Sequence, residues 1–389
     1  MRVILHSDLN AFYASVECLY KPELRNIPMA VCGDPATRHG IVLAKNELAK
    51  KSGVKTGEAI WQALAKCPLL EIVAPQGHLY LQYSQLVRSI YEEYTPYIEP
   101  FGIDECWLDL TGAERSGVEI AEEIRRRIKY EIGLTVSIGV SFNKVFAKLG
   151  SDLKKPDAVS EIREENFRTI VWPLPIRALL FVGRQTEKKL GAINVRTIGD
   201  LVRCGPDFLR LRLGKAGLML WHYAMGLDRG EVASSGAYPQ VKSIGNSMTA
   251  ARDLYTESEV KQVLMRLTDE VASRLREQEL CCTTVQISLR DSELFSWERQ
   301  CKLERPTQCS AIILAEAMTL YKNDKRSNRP LRSLGVRTTD LCRVGNSQQI
   351  SYLPELQEEE RWLRLERTLD SLRCRFGNKA VLRACLMSD

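Results

Sequence analysis

The segment FGIDECWLDLTG, residues 101–112, sets Asp104 and Glu105 side by side in an otherwise apolar, strand-like stretch. Burying an ionised carboxylate without a partner is expensive, so two this close need strong positive charge between their oxygens, and a metal ion is the obvious source. Neighbouring side chains of a regular strand point to opposite faces, so both can serve one site only at a bend or a strand end. Gly102 allows such a bend. The opening stretch RVILHSDLNAFYASVE adds a third carboxylate: a short apolar strand delivers Asp8 at its end, before a helix expected from near Ala11. An isolated aspartate at such a junction is ordinarily a helix N-cap, and a lone Asp-Glu pair is ordinarily an acidic edge strand. Together the three carboxylates are enough for two divalent cations. Hard oxygen donors, and no Cys/His cluster, favour Mg²⁺ over zinc.

A chain of 389 residues with 44% hydrophobic content exceeds what one core supports and implies two to four domains. Its 55 basic and 49 acidic residues, net +6, permit a polyanionic partner without requiring one. The 12 cysteines contain no C-x-x-C pair, which excludes the usual structural zinc motifs and leaves most of them as small core residues of a reduced, cytoplasmic protein. No apolar run approaches the ~18 residues of a membrane span.

Along the chain, GIVLAKNELAKKSGVKTG places Lys45, Lys50, Lys51 and Lys55 around Gly40, Gly53 and Gly57, which suits a solvated helix face or, near turns that expose backbone N–H groups, a phosphate site. IAEEIRRRIKYEIG is an amphipathic helix with Ile120, Ile124 and Ile128 on one face and its arginines as solvated charge. LTVSIGVSFNKVFAKLGSDLKKPD reads as an alternating strand, a turn, a helix and a basic loop at Lys154 and Lys155. Between about Phe167 and Glu231 the pattern is helical, and LLFVGRQTEKKLGAINVRTIGDL forms a helix-hairpin-helix, with Arg184 where the more common form has a second glycine. Units of this kind present backbone amides, here at Gly183, to a phosphate backbone. After the linker-like VASSGAYPQVK comes a βαββαβ series, its first helix opened by the capping box Thr256/Glu259. Lys242, Arg252, Lys322, Lys325, Arg326, Arg329, Arg332 and Arg337 fall at its strand starts and in one loop. The polar segment NSQQISYLPELQEEE precedes a terminal helix from about Glu358 to Arg375.

Taken in order, SDLNAFYASVE, GVKTG, FGIDECWLDLTG, VSIGVSFNKVFAKLGSDLKKP, the hairpin region, KSIGNSMT and LRSLGVR resemble the Y-family of translesion DNA polymerases, in its bacterial DNA polymerase IV and UmuC-like branch. The resemblance implies an α+β multidomain fold: a palm (residues 1–18 and 75–165) with an antiparallel sheet and helices, small fingers (19–74), a helical thumb (166–233), a linker (234–241), a βαββαβ little finger that binds DNA (242–345), and a clamp-binding strip with a C-terminal helix (346–389). It also implies low-fidelity, template-directed nucleotidyl transfer from a dNTP to a primer 3′-hydroxyl by a monomer that uses two Mg²⁺ ions, with Mn²⁺ able to substitute. By the same resemblance Asp8, Asp104 and Glu105 are the metal ligands and catalytic carboxylates, joined by the Leu9 carbonyl. Tyr13 is the steric gate against a ribose 2′-hydroxyl, Phe12 lines that pocket, and Lys155 reaches the triphosphate. Lys242, Ser243, Ile244, Gly245, Asn246, Arg332 and Arg337 meet DNA in the little finger.

One departure stands out: where many members grip the triphosphate with a tyrosine and an arginine, this chain has Glu47 and Lys50. An ionised carboxylate cannot donate to phosphate, so either Lys45 and Lys50 hold the nucleotide or the grip differs. Gln349, Ile350, Ser351, Tyr352 and Leu353 resemble the pentapeptide by which bacterial polymerases engage the sliding clamp. Two other functions fit parts of the pattern. A nucleotidyl cyclase or metal-dependent nuclease could share the carboxylates but would not need the βαββαβ domain. A non-polymerising DNA-binding or clamp-docking protein would be favoured by a missing carboxylate, and none is missing.

Overall fold

A six-residue strand buried along its whole length belongs in the middle of a sheet, and β1 (Ile4–Leu9) is there. The chain continues through α1 (Phe12–Tyr20), β2 (Met29–Cys32), β3 (Val42–Lys45), α2 (Glu47–Lys51), α3 (Ile60–Lys66), β4 (Glu71–Val73) and α4 (Gly77–Glu92). Next come β5 (Ile98–Pro100), β6 (Glu105–Asp109), α5 (Gly117–Arg127), β7 (Val136–Ser141), α6 (Lys144–Leu153) and β8 (Val159–Ile162). The central sheet has the order β5-β6-β1-β7-β8, and β3-β2-β4 form a separate three-stranded sheet. The small sheet has its own core around Ala30, Val42, Ile60 and Ala63.

This is a computed structural model that describes residues 2–38, 40–236, 240–324, 326, 329–344, 354–377 and 380–386. Asp8 is not a helix cap: α1 begins after Ala11, whose backbone is left-handed at φ 47° and whose side chain caps nothing. Arg126 of α5 is exposed as the amphipathic pattern suggests, but Arg125 and Arg127 are less solvated. Arg125 pairs with Asp157 at 2.7 Å and Arg127 with Glu93 at 2.7 Å, because the helix lies beside two acidic loops. Seven of the cysteines (Cys18, Cys32, Cys67, Cys106, Cys281, Cys282 and Cys309) are buried and all twelve are free thiols, as expected of core residues.

Helix α6 crosses β7 at backbone contact. A Cβ on Gly139 would stand 1.9 Å from the Ala147 carbonyl oxygen, and one on Gly150 would stand 3.1 Å from the Gly139 Cα. Only glycines permit that approach. It brings the Lys148, Ser151 and Asp152 face of α6 down onto the end of β1.

Helices α7 (Phe167–Val171), α8 (Arg184–Gly191), α9 (Ile198–Cys204), α10 (Pro206–Leu213) and α11 (Lys215–Ala224) share a core with Val145, Phe146 and Leu149 of α6. These elements form one unit, Met1–Gly33 with Gly40–Tyr238, and the second unit is Asp34–His39 with Pro239–Asp389. In the second unit β9 (Ser243–Leu254), α12 (Glu257–Glu277), β10 (Leu280–Asp291), β11 (Ser296–Thr307), α13 (Ser310–Lys322) and β12 (Leu331–Arg343) give the βαββαβ order, with strands arranged β11-β10-β12-β9. The capping box is present: Thr256 accepts from the Glu259 N–H while Glu259 accepts from the Thr256 N–H.

A last helix, α14 (Pro354–Phe376), packs against α12 through charge. Glu366, 3% exposed, accepts from the Ser310 N–H at 3.0 Å and from Arg276, satisfying the first turn of α13, and Asp370 takes a second Arg276 nitrogen at 2.6 Å.

Candidate active site

The strand register puts Asp8 directly opposite Glu105, and cross-strand partners point to the same face. Asp104 lies one residue before β6, in the bend that follows Phe101, so the alternation of the strand does not apply to it. Its carbonyl accepts from the Leu9 N–H at 3.0 Å. A Cβ at Gly102 would lie 3.2 Å from Asp104 Oδ1, close enough to press on that carboxylate. Arg88 of α4 donates to the Gly102 carbonyl at 2.8 Å and fixes the turn. The side chain of Leu9 is in the core, which leaves only its backbone for any role in the site.

Two lysines already serve these carboxylates. Lys155 donates to Asp8 Oδ2 at 2.7 Å and also meets Asp152 Oδ1 at 2.8 Å. Lys148 donates to Glu105 Oε2, and the Nε2 of fully buried His6 lies 3.3 Å from the same oxygen. The other His6 nitrogen, Nδ1, pairs with the Ser151 hydroxyl at 2.9 Å. The loop carrying Lys155 is pinned behind it: the Asp157 N–H donates to Asn10 Oδ1 at 2.9 Å, and the Asp157 carboxylate holds Arg125 and Lys129.

The electrostatics are those of a site with too much negative charge. Burial pushes Asp8 up to about 6 in spite of Lys155, and burial together with the Glu105 charge raises Asp104. Burial also works to raise Glu105, but His6 and Lys148 outweigh it and bring it to about 2. Burial holds His6 below its ordinary value. No lysine or arginine among the described residues pairs with Asp104. Nor do any three His, Cys, Asp or Glu side chains among them converge tightly enough to hold an ion unaided, since the lysines engage Asp8 and Glu105 instead. All-oxygen donors around an unmatched carboxylate suit a hard divalent cation.

Tyr13 projects from the first turn of α1, half-buried, with its ring stacked on Tyr80 at 4.2 Å and 9°. Tyr80 cannot yield, because its hydroxyl donates to fully buried Glu17 at 2.6 Å and Glu17 also holds Gln76 at 2.9 Å. Phe12, 3% exposed, belongs to the core behind this pair. Beside the small sheet Lys50 pairs with Glu47 at 3.2 Å, and Lys45 donates to Thr56 at 3.0 Å, with Lys45 lowered by burial and by the nearby Lys50 charge. Gly183 is the N-cap of α8, with no side chain satisfying the first amides of that helix.

In the second unit the register collects polar residues and glycines on the sheet face opposite its helices. Gly245, Arg337, Gln286 and Gln300 make one row, and Ser247, Gly335, Ser288 and Glu298 the next. Ser243 to Asn246 lie on the edge strand β9, where Ile244 faces the core while Lys242, Ser243 and Gly245 are exposed. Arg337 is exposed on the open face, whereas Arg332 is half-buried at a bulge. Gln349, Ile350, Ser351, Tyr352 and Leu353 lie outside the described residues.

His6, Lys148 and Asn10 were not singled out from sequence, yet a signal existed for two of them. His6 is two residues before Asp8, hence on the same strand face. Lys148 precedes Asp152 and Lys155 by four and seven residues, the spacing of one helix face.

The impB/mucB/samB family model matches residues 7–152 and the model of that family's C-terminal domain matches residues 241–352. A protein of Acetivibrio thermocellus named DNA polymerase IV is 49% identical, over 100% of this chain and 98% of its own length. Its namesake from Clostridium acetobutylicum is 34% identical over 99% and 98%. A solved Y-family DNA polymerase chimera superposes with a TM-score of 0.76 over 87% of this chain and 98% of its own, at 22% identity, which shows the shared fold. With both family models matched in order and relatives aligned end to end, the chain belongs to the impB/mucB/samB family, in the DNA polymerase IV branch of the Y-family polymerases.

Proposed function

We propose that the chain extends a primer on a DNA template by low-fidelity translesion synthesis, with the primer 3′-hydroxyl attacking the α-phosphorus of a dNTP and pyrophosphate leaving. The pairing of Asp8 with Glu105 across β1 and β6, with Asp104 at the adjoining bend, is the observation that carries this reading. Two Mg²⁺ ions (or Mn²⁺) held by Asp8, Asp104, Glu105 and the Leu9 carbonyl would supply charge to the attacking and leaving oxygens. Tyr13, backed by Tyr80, walls the sugar, and Phe12 fixes Tyr13 from behind. Lys155 reaches the triphosphate, and Lys45 with Lys50 supplies positive charge from the fingers. Gly183 and the polar face of the second unit, with Lys242, Ser243 to Asn246, Arg332 and Arg337, meet the phosphate backbone of primer-template DNA. The enzyme works as a monomer in the cytoplasm, and no helix among the described residues is long and apolar enough to cross a membrane. Primer extension with and without Mg²⁺ decides the matter, and absence of product with every divalent metal would end the polymerase reading.

The strip at residues 349–353 adds a partner. A weak peptide contact with the sliding clamp raises processivity through effective concentration, without a new contact at the site. Changing Gln349, Tyr352 and Leu353 together to alanine leaves single-nucleotide insertion intact and removes stimulation by the clamp. Equal stimulation of the parent and the triple variant would place clamp contact elsewhere.

A further inference from the structure

Lys155 holds two carboxylates at once, Asp8 Oδ2 at 2.7 Å and Asp152 Oδ1 at 2.8 Å. The two are unlike: the Asp8 side chain is 12% exposed and that of Asp152 is 59% exposed. Asp8 faces Glu105 across the strand pair, so its ionised form needs a counter-charge at all times. A divalent cation on Asp8 would need the oxygen that the ammonium now occupies, and two cations within a few ångströms repel. The base of Lys155 is anchored through Asp157, leaving its four-carbon arm as the freedom available.

We propose that Lys155 is the resident counter-ion of Asp8, displaced from its Oδ2 when a divalent cation arrives and moved to a position between Asp152 and the phosphate oxygens of the incoming nucleotide. The inference rests on the two-cation polymerase reading above and adds an energetic link to it. While Lys155 sits on Asp8 it competes with the cation. Once freed it is a donor for the triphosphate, so each ligand removes an obstacle to the other. Such coupling is reciprocal: the factor by which the cation tightens nucleotide binding equals the factor by which nucleotide tightens cation binding. Asp152 makes the exchange short, since the ammonium keeps one carboxylate partner throughout. Lys148 is the fixed counterpart, held on Glu105 by a helix seated on β7 at glycine contact.

The test needs no turnover. Mn²⁺ is titrated into DNA-free and nucleotide-free enzyme, and the free ion is read by electron paramagnetic resonance. Lys155→Met binds Mn²⁺ about tenfold tighter than the parent, the size of one charge-assisted hydrogen bond released from competition. The same variant binds dNTP more weakly at saturating Mn²⁺, and its Mn²⁺–dNTP coupling factor falls toward one. Lys155→Arg, which keeps a cation in place, binds Mn²⁺ no tighter than the parent. Lys154→Met removes an adjacent exposed charge that pairs with no carboxylate among the described residues, and it shifts Mn²⁺ affinity less than about twofold because water screens it. Unchanged or weaker Mn²⁺ binding by Lys155→Met overturns the proposal, as does an equal gain in Lys154→Met. If the parent binds no Mn²⁺ at all, the two-cation reading itself fails, an outcome distinct from both.

Discussion

Asp104→Asn lowers primer extension by about 10³-fold or more and raises the melting temperature of the metal-free enzyme at pH 7.5 by about 1–3 °C. The two effects have one cause. Asp104 lies beside Glu105 with no lysine or arginine paired to it among the described residues, and burial and the Glu105 charge raise its pKa above the ordinary carboxylate value. A carboxylate raised in the folded state costs nothing while it stays protonated in both states. The cost appears as pH climbs from the ordinary value through the raised one and is complete once pH has passed it. Asparagine has the same shape and no charge, so it removes this cost. Partial exposure screens the charge, which keeps the gain small. Divalent metal should reverse the order, since a cation that binds only the folded parent stabilises it by mass action. Calorimetric melts with and without Mg²⁺ check this. A metal-free variant that melts below the parent would make Asp104 a structural residue, and retained extension would remove it from the ligand set.

How much of this was legible beforehand differed between the two units. The βαββαβ order and its capping box could be read because period and turn residues agree along that stretch, and the open face of the sheet then follows from register. The carboxylates were readable for another reason: an acidic pair in an apolar strand conflicts with burial unless something compensates it. The compensation was not readable. Lys148 and Lys155 reach Glu105 and Asp8 because α6 sits on β7 at backbone contact, and this depends on Gly139 meeting a helix carbonyl that no local pattern reveals. The arginines of α5 show the same limit, since Arg125 is paired by Asp157, 32 residues later in the chain. Asn10 likewise ties the end of β1 to that loop across 147 residues. Sequence spacing assigned the groups with charge to bury, and the glycine-mediated crossing decided which charges met them.

Tyr13→Ala should weaken discrimination against ribonucleotides by about 10- to 100-fold, the value of a 1–3 kcal/mol steric clash, while changing dNTP incorporation less than about threefold. The reason is mechanical. A ring excludes a hydroxyl only if it cannot move aside, and Tyr13 stacks flat on Tyr80 at 4.2 Å. Tyr80 is in turn held by a 2.6 Å hydrogen bond to Glu17, which is wholly buried and also held by Gln76. The proposed gate is therefore a stack braced at its far end by a carboxylate. Tyr13→Phe keeps the ring and the stack, so it retains discrimination, which separates the role of the ring from that of the hydroxyl. Phe12, one residue earlier, gives the contrast. With 3% exposure it is core, and Phe12→Ala costs about 3–5 kcal/mol of stability. Single-turnover incorporation of matched dNTP and rNTP by the Tyr13 variants, beside a melt of the Phe12 variant, measures all three. Discrimination unchanged in Tyr13→Ala, or lost equally in Tyr13→Phe, would show that the sugar is sensed by some other group than this ring.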